Sequence, residues 1–154
     1  MGADKLYFIK HELMKRLNQL PSATTGKWGK MNGQQMVEHL SLIFAASSGK
    51  VDVTLATPIE HLPKYKAFLL SDKEFKENTK GPSTLIPDEP QELKHASLEL
   101  ALEELQEELD YFFRYFETHP GITTMHPAFG ELNSDEWVLA HYKHVVHHLK
   151  QFGL

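Results

Sequence analysis

The sequence predicts an all-α protein, a four-helix bundle with a long proline-rich connection between its second and third helices. Three observations predict it. Four segments place apolar residues at the three-to-four-residue spacing of an amphipathic helix. Pro58, Pro63, Pro82, Pro87 and Pro90 crowd the stretch between the second and third of these segments. Period-two alternation is confined to Val51–Leu55, and one such run cannot build a sheet.

The first helix is expected over Lys5–Leu20, with Leu6, Ile9, Leu13, Leu17 and Leu20 on one face. Pro21 and the small polar run Ser22–Gly26 end it, because proline cannot donate to the helical ladder. The second covers Gly33–Ser48: Asn32 is placed as its N-cap, Gln35 stands where a capping-box partner belongs, and Gly49 follows as a C-cap. Residues 50–90 are too proline-rich for long regular helices, so they are expected to wander, with one short helix near Leu62–Leu70. A connection of that length either helps to form a ligand site or covers one end of the bundle.

The third helix is expected over Gln91–Thr118. Leu98, Leu102, Leu105, Leu109, Phe112 and Phe116 form its apolar seam, and Glu99, Glu103, Glu104, Glu107 and Glu108 a solvated face. A Pro/Gly-rich link, His119–Gly130, leads to the last helix, Ser134–Phe152, with Ser134 as N-cap and Asp135 and Glu136 favourable in its first turn.

A length of 154 residues suits one domain, residues 1–154, with a single hydrophobic core. No apolar stretch approaches the roughly 20 residues of a membrane span. The opening MGADKLYFIK lacks the charged-then-apolar pattern of a signal peptide, so no membrane association is expected. The absence of cysteine excludes disulfides, iron–sulfur clusters, thiolate metal sites and a cysteine nucleophile, and it is compatible with a reducing, cytoplasmic location. A net charge of -5 argues against nucleic-acid binding, which draws on many lysine and arginine contacts to phosphate. What stands out is ten histidines, of which His141, His144, His147 and His148 lie together.

At about 100° per residue, three stripes run along the last helix. Val138, Tyr142, Val145, Leu149 and Phe152 share the core side, and Glu136, Lys143, His147 and Lys150 the solvent side. Trp137, His141, His144, His148 and Gln151 lie between them. His144 and His148, one turn apart, therefore point the same way, as a pair must to share an ion. On the second helix His39 sits among Gln35, Met36, Leu42, Ile43 and Ala46, with Gln34, Glu38, Ser41 and Ala45 opposite. A buried imidazole needs a partner. That partner is either a hydrogen bond or an ion. Three imidazoles would suit a first-row divalent metal and leave one coordination position open.

The tail HPAFGELNSDEWVLAHYKHVVHHLKQF (residues 126–152) and the segment GKMNGQQMVEHL (residues 29–40) resemble the DinB-like (YfiT-like) metalloenzyme superfamily. They are especially similar to a branch of bacterial proteins that ends in HPxFGxL…EW…YKHxxHHLxQF. The specific motifs occupy about a quarter of the chain, and similar order and spacing cover most of the rest. The resemblance implies a divalent metal held by His39, His144 and His148, with Gln151 in place of the glutamine of HxxxHxxQ. Zinc or nickel is the first expectation, iron or manganese the second. It also implies a homodimer and a small-molecule substrate.

The better characterised relatives combine the metal with a low-molecular-weight thiol, so the chain is expected to be a metal-dependent S-transferase, or a hydrolase if water is the nucleophile. Having no cysteine, it would need the thiol as a cosubstrate. The alternative is a non-catalytic stress-related or ligand-binding bundle whose metal is structural or vestigial. Around the metal, His141 either moves protons or packs, and Gln35 either lines the pocket or only starts its helix. His126 either forms the pocket rim or holds a turn. Trp28 and Trp137 either wall the pocket or fill the core. Glu38 is off-face, and no carboxylate stands out as a base.

Overall fold

Burial of the predicted apolar faces organises the chain, but the all-α four-helix expectation is overturned. The computed structural model describes residues 2–21, 23–87 and 89–154. Ser22, part of the predicted polar break after the first helix, lies outside them. The described residues form five helices and a two-stranded antiparallel sheet. Helix α1 is continuous over residues 2–17, as Gly2–Tyr7, a π-helical segment Phe8–Glu12, and Leu13–Leu17. Helix α2 is Gly33–Ser47; α3 is Leu62–Leu70, entered through a 3-10 turn, Ile59–His61; α4 is Leu98–Thr118; and α5 is Ser134–Gln151. Strands β1, Thr124–His126, and β2, Gly130–Leu132, form a hairpin between α4 and α5.

The hairpin escapes a periodicity search because each strand is three residues long, too short for alternation to register. Its register pairs Thr124 with Leu132 and His126 with Gly130. The chain reverses through Pro127, Ala128 and Phe129, and Gly130, the first residue of β2, takes a left-handed conformation (φ 83°) that glycine adopts without steric cost. Val51–Leu55, the run that does alternate, is in neither strand.

Two helix starts also differ from expectation. Helix α4 begins at Leu98, where the Ser97 side chain accepts from Leu100 N–H, rather than at Gln91. The preceding backbone is held elsewhere. Glu38 of α2 accepts the N–H groups of Lys94 (2.6 Å) and His95 (3.3 Å), which pins residues 94–95 in a non-helical course. Helix α5 is capped by Asn133, not Ser134; Asn133 and Glu136 exchange side-chain-to-backbone bonds in a capping box. The same device, Asn32 with Gln35, opens α2 as predicted.

Helix α2 packs along α4, and α1 and α3 pack on α5. Between them lie fully buried Ile9, Leu13, Leu17, Phe44, Leu105, Phe112 and Trp137. The solvent stripe assigned to α5 is corrected at Lys143, which is buried, and at His147, which is half-buried. Lys143 is only 5% exposed, because α3 and the turn after it cover it. Its ammonium donates to the carbonyls of Ser71 (2.8 Å) and Lys73 and lies over the Phe68 ring. Among the described residues no helix is long and apolar enough to cross a membrane.

Candidate metal centre

His39 on α2 and His144 and His148 on α5, 105 residues apart in the closest cross-pair, meet where these helices face each other. His144 Nε2 lies 2.8 Å from His39 Nε2 and 3.0 Å from His148 Nε2. The three rings stand nearly perpendicular to one another, at 79° to 81°, with centroids 4.6 to 5.0 Å apart. Edge-on rings of this kind bring nitrogens, not ring faces, to a common point.

Protons cannot satisfy that arrangement. Gln151 Nε2 donates to Trp28 O (2.8 Å), so Gln151 Oε1 is the atom that faces His148 Nδ1 at 2.7 Å. His148 Nδ1 is therefore the donor, and in the neutral ring its Nε2 carries a lone pair. A hydrogen on His144 Nε2 serves one of its two neighbours and leaves no lone pair there for the other; without that hydrogen, His144 Nε2 faces the His148 Nε2 lone pair with its own. Burial, reinforced by the neighbouring imidazoles, keeps the rings neutral. It lowers His39 to about 4 and His148 to about 3, and holds His144 well below its ordinary value. Three neutral imidazoles with converging nitrogens are a donor set that could hold a divalent ion. Among the described residues this convergent group contains histidines alone.

Gln151 is itself held by the loop that carries Trp28. Lys27 N–H donates to Gln151 O at 2.7 Å, so the Gly26–Gly29 turn wraps the end of α5. A Cβ at Gly29 (φ 78°) would meet Gln151 Nε2 at 2.7 Å, and one at Gly26 would meet Gln151 Cγ at 3.0 Å. Two glycines flanking Trp28 were the available signal, since close backbone approach is what glycine permits.

The triad faces a cavity of about 1150 Å³. Gln35, His126, Trp137, His141 and Gln151 all line it, as does Trp28. Their roles divide. Gln35 caps α2 and donates to Gln91 O (3.4 Å), so it both starts the helix and holds the covering segment. Trp137 is fully buried and donates to Thr124 Oγ1 (2.7 Å), which donates in turn to Ser47 O. His141 stacks on Phe44, with centroids 3.8 Å apart. Ser47 Oγ spends its hydrogen on Phe44 O, so His141 Nε2 donates to Ser47 Oγ at 3.0 Å. His141 is thus a packed, hydrogen-bonded residue that locks α5 to α2 beside the three histidines. His126 holds the hairpin turn through Nδ1.

His147, placed on the solvent stripe by the helical wheel, is half-buried. Its ring lies 5.6 Å from that of Trp28 and 5.9 Å from that of Phe75, because residues 71–75 fold back over α5. Glu38, placed off-face, reaches the cavity edge but spends its oxygens on Gln34, Lys94 and His95.

Residues 9–153 match the model of a family described as Protein of unknown function (DUF1569). The chain belongs to the DUF1569 family. Comparison with curated proteins and with solved structures matches none. The family match spans every element that supplies the triad and its supports, from α1 to the Gln151 end of α5.

Proposed function

We propose that this DUF1569 protein is a DinB-like metalloprotein in which His39, His144 and His148 hold one divalent ion, zinc or nickel before iron or manganese, for chemistry on a small molecule. The observation that carries this is the convergence of three Nε2 atoms, with the His148 tautomer set by Gln151. When bound, such an ion lowers the pKa of a coordinated thiol or water and so supplies a nucleophile near neutral pH. The chain's own residues do the rest. Gln151 orients His148, His141 and Trp137 fix α5 against α2 and the hairpin, and the cavity admits substrate to the open side of the triad. A chain without cysteine takes any thiol as a cosubstrate. The reaction classes are therefore S-transfer from a low-molecular-weight thiol, or hydrolysis by water.

One observation favours a second reading, a ligand-binding protein with a structural metal. Glu38, the half-buried carboxylate at the cavity, is occupied as an anchor for residues 94–95 and so does not serve as a base. Turnover decides between the two readings. Metal-loaded protein is offered thiols with electrophiles, and separately esters and amides; activity that disappears in His144→Ala supports the enzyme.

The metal itself is tested by elemental analysis of protein purified without added metal. Wild type is expected to carry about one equivalent, and His39→Ala, His144→Ala and His148→Ala to lose it. Full occupancy in all three variants would remove the site.

A further inference from the structure

His126 pairs with Gly130 across the hairpin, and its Nδ1 accepts two backbone hydrogens, from Ala128 (2.9 Å) and Phe129 (3.2 Å). Two N–H groups aimed at one nitrogen leave no place for a proton there. The ring hydrogen is therefore on Nε2, and the fold sets the tautomer. Among the described residues nothing accepts from that N–H. Three buried polar atoms among them are both unpartnered and sealed from solvent: Ser41 Oγ, Glu108 Oε2 and His141 Nδ1. His126 Nε2 is not one of these, and His126 lines the cavity. A donor of fixed direction is thus open to the cavity interior.

The walls decide what that donor can meet. Ile43, Phe68, Phe75 and Phe129 face the same space. Apart from Glu38, the charged residues that line it (Lys30, Lys64, Lys80, Glu89 and Glu92) are exposed at its mouth, and Lys30 pairs with Glu89. Away from the triad, where an ion would itself pair with an anion, a carboxylate or phosphate beside His126 would meet no cationic side chain, and an unpaired buried charge is costly. A neutral carbonyl oxygen would meet one well-held N–H.

We propose that His126 is a ligand-binding residue whose Nε2–H holds the carbonyl oxygen of an uncharged, largely apolar molecule in the cavity beside the histidine triad. This rests on the cavity being the functional site proposed above, and it adds the class of ligand.

Acetophenone and ethylbenzene are matched in shape and differ in the carbonyl. Equilibrium dialysis of each against the protein as purified, with metal content measured on the same samples, gives an affinity ratio for each variant. In His126→Asn the side-chain oxygen can still accept the turn N–H groups, but the donor at the Nε2 position is gone. The acetophenone-to-ethylbenzene ratio is expected to fall about fivefold, the worth of one ordinary hydrogen bond, with ethylbenzene binding and metal content unchanged. A ratio unaltered in folded His126→Asn would overturn the proposal. Should that variant not fold, imidazole nitrogen NMR of the wild type answers the same question. The His126 Nε2–H signal is expected to shift with acetophenone and not with ethylbenzene, and a hydrogen found on Nδ1 would overturn the proposal. A ratio that depends on His126 in protein without metal would sink the metal reading alone. Metal bound at the triad with the ratio independent of His126 would sink this one alone.

Discussion

Gln151 Oε1 accepts the Nδ1 hydrogen of His148 at 2.7 Å, while the amide nitrogen of Gln151 donates to Trp28 O at 2.8 Å. Because the Trp28 carbonyl can only accept, the amide has one orientation, and so has the imidazole it holds. Gln151→Leu keeps most of the buried volume and removes both bonds. The ring of His148 then loses its fixed tautomer, and metal affinity is expected to fall about 10- to 100-fold. Competition with a colorimetric chelator measures this. An affinity within about twofold of wild type would show that packing alone orients His148.

Gly29 supports the same relay from outside. Alanine there meets two obstacles, a left-handed φ of 78° and Gln151 Nε2 at 2.7 Å from the new Cβ. The backbone term alone is about 1–2 kcal/mol, and displacement of the amide should weaken metal binding as well. Gly121→Ala is the matched control, since Gly121 has φ 80° and nothing within 4 Å of its Cβ. Both variants are expected to lower the urea midpoint, but only Gly29→Ala to lower metal affinity. Equal metal affinity in the two would separate the loop from the site.

The convergence of the three histidines was legible in the sequence because each obeys a local rule. His144 and His148 share a helix face by spacing, and His39 sits on an apolar face where an imidazole needs a reason. The capping box of Asn32 and Gln35 was legible for the same cause, since it is decided within four residues. What was not legible depends on residues far apart. Lys143 looks solvated on a wheel, and only the carbonyls of Ser71 and Lys73 explain its burial. The end of α4 nearest Gln91 looked helical until Glu38 took its backbone donors. The hairpin lies between these cases. The HPAFG segment announced a turn, but the strands it joins bury too few residues to show a period.

Acid should destabilise the metal-free protein before the ordinary carboxylate range is reached. Burial lowers His126 to about 3 and His39 to about 4, against about 6.5 when unfolded. Below pH 6.5 the unfolded chain therefore binds protons that the native chain refuses, so stability is full above that pH and falls as pH drops toward 4. For His126 the loss at about pH 5 is on the order of 2 kcal/mol. Denaturant unfolding in chelator at about pH 7 and pH 5 reads the total. The difference is expected to shrink in His126→Asn. Equal stability at the two pH values would mean that these rings open to solvent without cost.

Lys143 should matter to the fold and not to the metal. Its ammonium is desolvated, which lowers its pKa, and its hydrogens go to two carbonyls of the turn that brings Phe75 against His147. Lys143→Met keeps the aliphatic stem over Phe68 but leaves the Ser71 and Lys73 carbonyls without that donor. A buried acceptor deprived of its partner costs about 1–3 kcal/mol. Lys143→Ala adds the loss of packing and should cost more. Two carbonyls that turn outward to water on substitution would reduce the first figure, so the comparison of the two variants is the informative one. If Lys143→Met unfolds at the wild-type urea concentration, the ammonium is a passenger in that pocket, and the segment over α5 is held by its aromatic contacts instead.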